Sequence, residues 1–155
     1  MNTHLKISAS IFLILFSTGP LLAQDATKAH KDSLNSVVKN YFELNLIVFQ
    51  PNSTVEDIDR IFDLFTDEFV YVHPKYGGTY TREELYEGYV RNQKNGAYNG
   101  SIADIRIGKK IIGLNACVVQ KHFVEKKGDE LEEGEPQMTL FEFEKGKISR
   151  IFEYW

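Results

Sequence analysis

The sequence predicts an α+β domain in which helices come first and a run of strands completes the chain. Three observations carry that expectation. Apolar residues recur at helical spacing in three segments of the first two thirds, and at alternate positions from Ile102 onward. A two-residue turn at Lys145-Gly146 joins apolar-rich stretches over 137–144 and 147–155, so the chain closes on a hairpin. The last strand places Ile148, Arg150, Phe152 and Tyr154 on one face and Ser149, Ile151, Glu153 and Trp155 on the other. Both faces carry large apolar groups, so the sheet needs helices on one side and a second cover or a partly enclosed space on the other.

Residues 1–23 read as an export signal. Lys6 is the only formal charge before Asp25, and the apolar run Ile11–Phe16 is followed by Ser17, Thr18, Gly19 and Pro20. Leu21-Leu22-Ala23 then offers a cleavage site ending in a small residue. The run is shorter than the ~20 apolar residues that span a bilayer, and the competing reading is an uncleaved anchor. The expected product is one exported domain over 24–155, periplasmic or secreted, with no membrane association once the signal is removed.

A first helix is expected over about 27–49, because Leu34, Val37, Val38, Tyr41 and Phe42 fall on one face. Pro51 and Asn52 end it. Ser53-Thr-Val-Glu56 matches a capping box and opens a second helix to about Thr66, with Val55, Ile58, Ile61, Phe62 and Phe65 as its apolar face. The period then changes to two: Phe69, Tyr71 and His73 share one strand face, Val70 and Val72 the other. Pro74 and Gly77-Gly78 break that strand into a turn. Thr81-Arg-Glu-Glu84 is a second capping box, starting a third helix to about Asn95 through Leu85, Tyr86, Tyr89 and Val90. Ile102–Ile107 and Ala116–Glu125 read as strands, and an acidic bend over 126–135 leads to the final hairpin. The register of the long strand stays open: either Cys117, Val119, Lys121 and Phe123 turn inward, or Val118, Gln120, His122 and Val124 do.

Composition narrows the function classes. The chain has 155 residues, one cysteine, four histidines and a formal charge of −4. That length suits a single domain burying about two thirds of its unfolded surface. Cys117 alone cannot form an intrachain disulfide, and it reads as a small buried apolar residue rather than a nucleophile. The longest basic runs are the pairs Lys109-Lys110 and Lys126-Lys127, which argues against nucleic acid as a partner. There is no glycine-rich phosphate loop and no Gly-x-Ser-x-Gly elbow. His30, His73 and His122 lack metal-ligand spacing, so no metal or other cofactor is implied.

Leu64-Phe-Thr-Asp-Glu-Phe-Val-Tyr-Val-His-Pro74 and Gly146-Lys-Ile-Ser-Arg-Ile-Phe-Glu-Tyr-Trp155, set in this order of elements, resemble the NTF2-like superfamily. That group includes ketosteroid isomerase, scytalone dehydratase and the SnoaL-like polyketide cyclases. The resemblance implies a cone: a strongly curved antiparallel sheet around a pocket, closed by the N-terminal helices. It also implies frequent homodimers through the sheet face. His73 stands where the isomerase places its general-base aspartate, directly before Pro74, and Tyr41-Phe-Glu-Leu44 resembles the string holding its helix-one tyrosine. Thr139 occupies the place of its oxyanion-stabilising acid, so the isomerase mechanism is not expected in full.

The residues themselves supply the rest of the candidate site. His73 changes charge near neutral pH and could serve as a base; equally, it could be a histidine hydrogen-bonded to a tyrosine to satisfy a buried polar group. Tyr41, Tyr71, Tyr76, Tyr80 and Tyr89 together suggest an aromatic pocket with several hydroxyls. Thr139, Phe141, Ile151, Glu153 and Trp155 would complete it from the last hairpin. Glu153 is either a partner for His73 or a solvated edge residue. The expected occupant is a small apolar or aromatic molecule, which the protein either binds or transforms as a cofactor-independent lyase or isomerase.

Overall fold

The structure, a computed structural model, describes residues 19–155, with side chains from Thr27 onward. Most of the expected export signal lies outside the described residues. Helix α1 (Gly19–Val48) begins upstream of the expected start and crosses the expected cleavage position. Its buried stripe, Leu34, Val38, Tyr41, Phe42, Asn45 and Val48, continues the predicted period by two further turns.

Helix α2 (Val55–Phe62) is capped one residue later than the sequence suggests. Thr54 rather than Ser53 is the N-cap: its Oγ1 accepts from Asp57 N at 3.4 Å, and its N–H donates to Asp57 Oδ2 at 2.9 Å. Ser53 is buried instead, its carbonyl accepting from Gln93 Nε2 at 2.9 Å. The helix stops at Phe62, short of the expected Thr66. Phe65 therefore opens strand β1 (Phe65–His73), where its ring stacks on Phe69 at 3.9 Å.

A 3-10 turn at Pro74–Tyr76 and a left-handed Gly77 (φ +104°) lead into β2 (Gly78–Thr81), which folds back antiparallel on β1. Only a turn was expected there. The second capping box forms as expected: Thr81 and Glu84 exchange bonds of 3.2 and 2.8 Å at the start of α3 (Arg82–Lys94). Strands β3 (Ile102–Ile112), β4 (Ala116–Lys127), β5 (Glu130–Glu133), β6 (Gln137–Glu144) and β7 (Lys147–Tyr154) follow. The acidic bend thus contains a short exposed strand, β5, paired with β4.

The sheet runs β2-β1-β7-β6-β4-β3, with β5 beside β4. The β1/β7 pair is parallel and every other pair antiparallel, so the sheet is mixed rather than wholly antiparallel. Register shifts interrupt β1/β7, β3/β4 and β6/β7, and such bulges bend a sheet. The shift between Glu142 and Phe143 also corrects the expected alternation of β7: Ile148 is buried with Ile151 instead of facing out with Phe152. The closing turn has Lys145 at φ +52° and Gly146 at φ +81°, the paired left-handed conformation a two-residue hairpin demands.

Helices α1 and α2 cover the inner face through Phe62, Phe65, Phe69, Phe141 and Ile151. On the opposite face, the register aligns Val72, Phe152, Leu140, Val118 and Ile111 in one row across five strands. None of these five is fully buried.

Candidate functional site: an aromatic cavity with a buried ion pair

Between the inner face of the sheet and helices α1 and α3 lies a cavity of about 450 Å³. Its apolar wall comes from Phe42 and Phe49 at the end of α1, Leu85 on α3, Tyr98, Ile105 and Phe123. The lining also includes Tyr71, His73, Lys121, Glu153 and Trp155. Alternate positions of β1, β4 and β7 point inward here, which brings Tyr71 and His73, Lys121 and Phe123, and Glu153 and Trp155 to one cavity.

Lys121 and Glu153 form a salt bridge with both side chains only 3% exposed. Lys121 Nζ donates to both carboxylate oxygens at 3.0 Å. Glu153 Oε2 also accepts from Thr139 Oγ1 and from Trp155 Nε1, each at 2.8 Å. The ammonium lies 5.5 Å from the Phe42 ring centre and 5.3 Å from that of Phe123. Burial lowers the Lys121 pKa from the ordinary amine range, although Glu153 pulls the other way. Two charges out of water are costly, and the four donor contacts on one carboxylate are what make the pair tolerable.

His73 is 2% exposed, and neither ring nitrogen has a hydrogen-bond partner among the described residues. Its ring contacts are aromatic: Tyr76 at 4.4 Å and Trp155 at 4.5 Å edge-on. Burial lowers its pKa from the usual value of 6.5; Glu153 opposes that shift, while Lys121 and Lys75 add to it. Burial thus favours the neutral imidazole, whose one donor and one acceptor are unused among the described residues.

The tyrosines divide by what their hydroxyls do. Tyr89 donates to Asn45 Oδ1 at 2.7 Å, and Asn45 Nδ2 donates to the Tyr41 carbonyl at 2.8 Å. Tyr41 is buried against Phe42, Phe65 and Phe141. Burial raises its pKa well above the ordinary phenol value, as it does for Tyr89 and Tyr71. Tyr80 donates to the Tyr76 carbonyl. Tyr71 makes no hydrogen bond through its hydroxyl among the described residues, and stands two positions from His73 on the same face of β1.

Of the residues expected from sequence, Tyr41, Tyr71, His73, Tyr80, Tyr89, Glu153 and Trp155 line the cavity. Thr139, Phe141 and Ile151 do not: each is 0% exposed, Thr139 bonded behind Glu153 and Phe141 packed behind Tyr41. Glu153 is neither a solvated edge residue nor hydrogen-bonded to His73. Its partner is Lys121, which sequence reasoning left unassigned between two registers. The structure selects the register with Cys117, Val119 and Lys121 inward, and His122 bonds outward to the Gly134 carbonyl at 3.0 Å. A usable signal existed: a lysine on the face shared by Cys117, Val119 and Phe123 needs a buried counter-charge, and Glu153 was the acid on a matching apolar face. Among the described residues, no group of three or more His, Cys, Asp or Glu is arranged to hold a metal ion.

No family model and no curated protein matches the sequence. Solved structures do match. An NTF2-like protein from Anabaena variabilis is 15% identical, with a TM-score of 0.56 over 79% of this chain and 89% of that one. An NTF-2 like protein from Burkholderia xenovorans is 13% identical, with a TM-score of 0.54 over 81% and 84%. A protein of ketosteroid isomerase-like fold from Catenulispora acidiphila, solved with trimethylamine, is 16% identical, with a TM-score of 0.52 over 77% and 84%. Likeness at these identities speaks to architecture alone. With its helices, mixed seven-stranded sheet and strand order, this chain has the NTF2-like fold.

Proposed function

We propose that the cavity binds a small, largely apolar molecule whose polar end meets His73. The observation that carries this reading is the pairing of an aromatic chamber with a buried imidazole that has no hydrogen-bond partner among the described residues. A buried polar group without a partner costs free energy that a bound acceptor or donor recovers. The trimethylamine complex of the Catenulispora protein is a precedent for a small organic guest in this fold. Trp155, the only tryptophan in the chain, contacts His73 and serves as an internal reporter. Titration with a library of hydrophobic compounds is expected to change its emission. His73→Ala should weaken the best ligand by ~3–10-fold, the effect of one hydrogen bond. Silence of Trp155 across a broad library rejects the reading.

A second reading is proton transfer in a cofactor-independent lyase or isomerase reaction. A neutral buried His73 would act as the base, and Tyr41 or Tyr71 as the donor to the developing oxyanion. It is favoured by geometry: His73 and Tyr71 line the same cavity, two positions apart on one face of β1. Once a substrate is found, full turnover by His73→Ala removes the histidine from the mechanism.

Two further proposals concern the whole chain. Residues 1–23 direct export, and a mature N-terminus at Gln24, read by intact mass, is the expected outcome. Such a cut falls within α1 and leaves its buried stripe from Leu34 intact. The apolar row on the outer sheet face forms a homodimer interface.

A further inference from the structure

We propose that Lys121 is a carbonyl-capturing amine, condensing with an aldehyde or ketone seated in the cavity to form a Schiff base. The proposal rests on the reading of this cavity as a ligand site and adds a covalent step to it. Three features place the amine for such chemistry. It faces an aromatic chamber, it is desolvated between the Phe42 and Phe123 rings, and a carboxylate lies 3.0 Å away to exchange its proton. Desolvated lysines become nucleophilic because their neutral form gains weight, and burial lowers the Lys121 pKa in that direction.

The step balances without an outside reagent. Glu153 takes one proton from the ammonium along their hydrogen bond, freeing a lone pair on Nζ. That pair forms the N–C bond as the carbonyl π bond breaks, and a proton passing from nitrogen to oxygen gives the carbinolamine. Glu153 returns its proton to the hydroxyl, the C–O bond breaks, water leaves, and nitrogen closes a protonated C=N bond. Net, ammonium plus carbonyl give iminium plus water. The iminium keeps a positive charge beside Glu153, so the buried carboxylate is paired before and after. Thr139 and Trp155 hold that carboxylate in place throughout.

The test uses naphthaldehyde as probe, naphthylmethanol as its non-carbonyl counterpart, and sodium cyanoborohydride to fix any imine on the intact protein at neutral pH. Peptide mapping by mass spectrometry is expected to show Lys121 alkylated ~10-fold or more faster than exposed lysines, the advantage that proximity confers on a bound reactant. Lys145, with its side chain 88% exposed, is the internal reference. Lys121→Arg keeps a cation beside Glu153 and should lose the adduct at position 121 while Lys145 is labelled at its unchanged rate. If both probes perturb Trp155 but only exposed lysines are labelled, carbonyl capture is wrong and the ligand site stands. If Lys121 stays unlabelled and Trp155 is silent to both probes and to the wider hydrophobic library, both readings fail.

Discussion

At the residue scale, the buried pair and the unpartnered histidine make opposite demands on stability. Removing one member of a buried ion pair leaves the other charge uncompensated, which typically costs about 3–5 kcal/mol. Glu153→Leu should therefore be strongly destabilising in urea unfolding, whereas Lys121→Met with Glu153→Leu should recover most of the loss. An additive double variant would mean the two charges act independently. His73 gives a pH signature whose sign is fixed. Its folded pKa lies below the ordinary 6.5, so as pH falls through 6.5 the unfolded chain takes up the proton first. Stability is then lost with acidification between 6.5 and the lower folded value. His73→Phe should flatten that part of the profile, and an unchanged slope would show that another group controls it. Sequence reasoning could name His73 and Glu153, because a histidine before proline and an acid on an apolar face are visible as types. It could not pair Glu153 with Lys121, since that contact depends on which face of β4 turns inward.

At the element scale, the two helix starts differ in how well the chain announces them. Both are capping boxes, but at α2 the Ser53 and Thr54 hydroxyls compete for one role, and each is followed three residues later by an acid. Thr54 takes it: its hydroxyl accepts from Asp57 N and its N–H donates to Asp57 Oδ2, while Ser53 is buried with its carbonyl accepting from Gln93. Thr54→Ala should cost ~1 kcal/mol by thermal or chemical unfolding, while Glu56→Ala should cost less than half of that. The reverse ranking would restore the Ser53–Glu56 cap. The helical stripes and the strand at Phe69–His73 were legible because each repeats one period over several residues, and the final hairpin because Lys145-Gly146 marks its turn. Strands β2 and β5 were not, being four residues each and specified by pairing with neighbours rather than by an apolar pattern of their own. Ile148 was misplaced for a related reason: a bulge adds one residue to β7 and inverts the alternation, which no local sequence period records.

At the scale of the whole molecule, the outer face of the sheet is the surface left to explain. The helices lie on the inner face, and the opposite face carries Val72, Phe152, Leu140, Val118 and Ile111 in register. Ile111 is 74% exposed, and Met138 and Tyr154 beside the row are 44% and 48% exposed. Val72, Phe152, Leu140 and Val118 are half-buried, so the row is a continuous apolar strip rather than a set of scattered single side chains. Arg150 and Glu142 flank it as a mutually paired couple 3.3 Å apart, so the patch presents both signs of charge to whatever docks. A surface of that kind suits a two-fold copy of itself, in which each patch meets the same patch in the opposite sense. Sedimentation of the domain at micromolar concentration is expected to show a dimer. Phe152→Glu, placing a charge at the middle of the row, should weaken association ~100-fold or more, as expected for a central aromatic anchor. Because Phe152 is turned away from the core, the variant should keep its fold, and far-ultraviolet circular dichroism checks that. A strictly monomeric wild type would refute the interface, and would leave the apolar row without an occupant while the inner cavity and its ion pair stayed as they are.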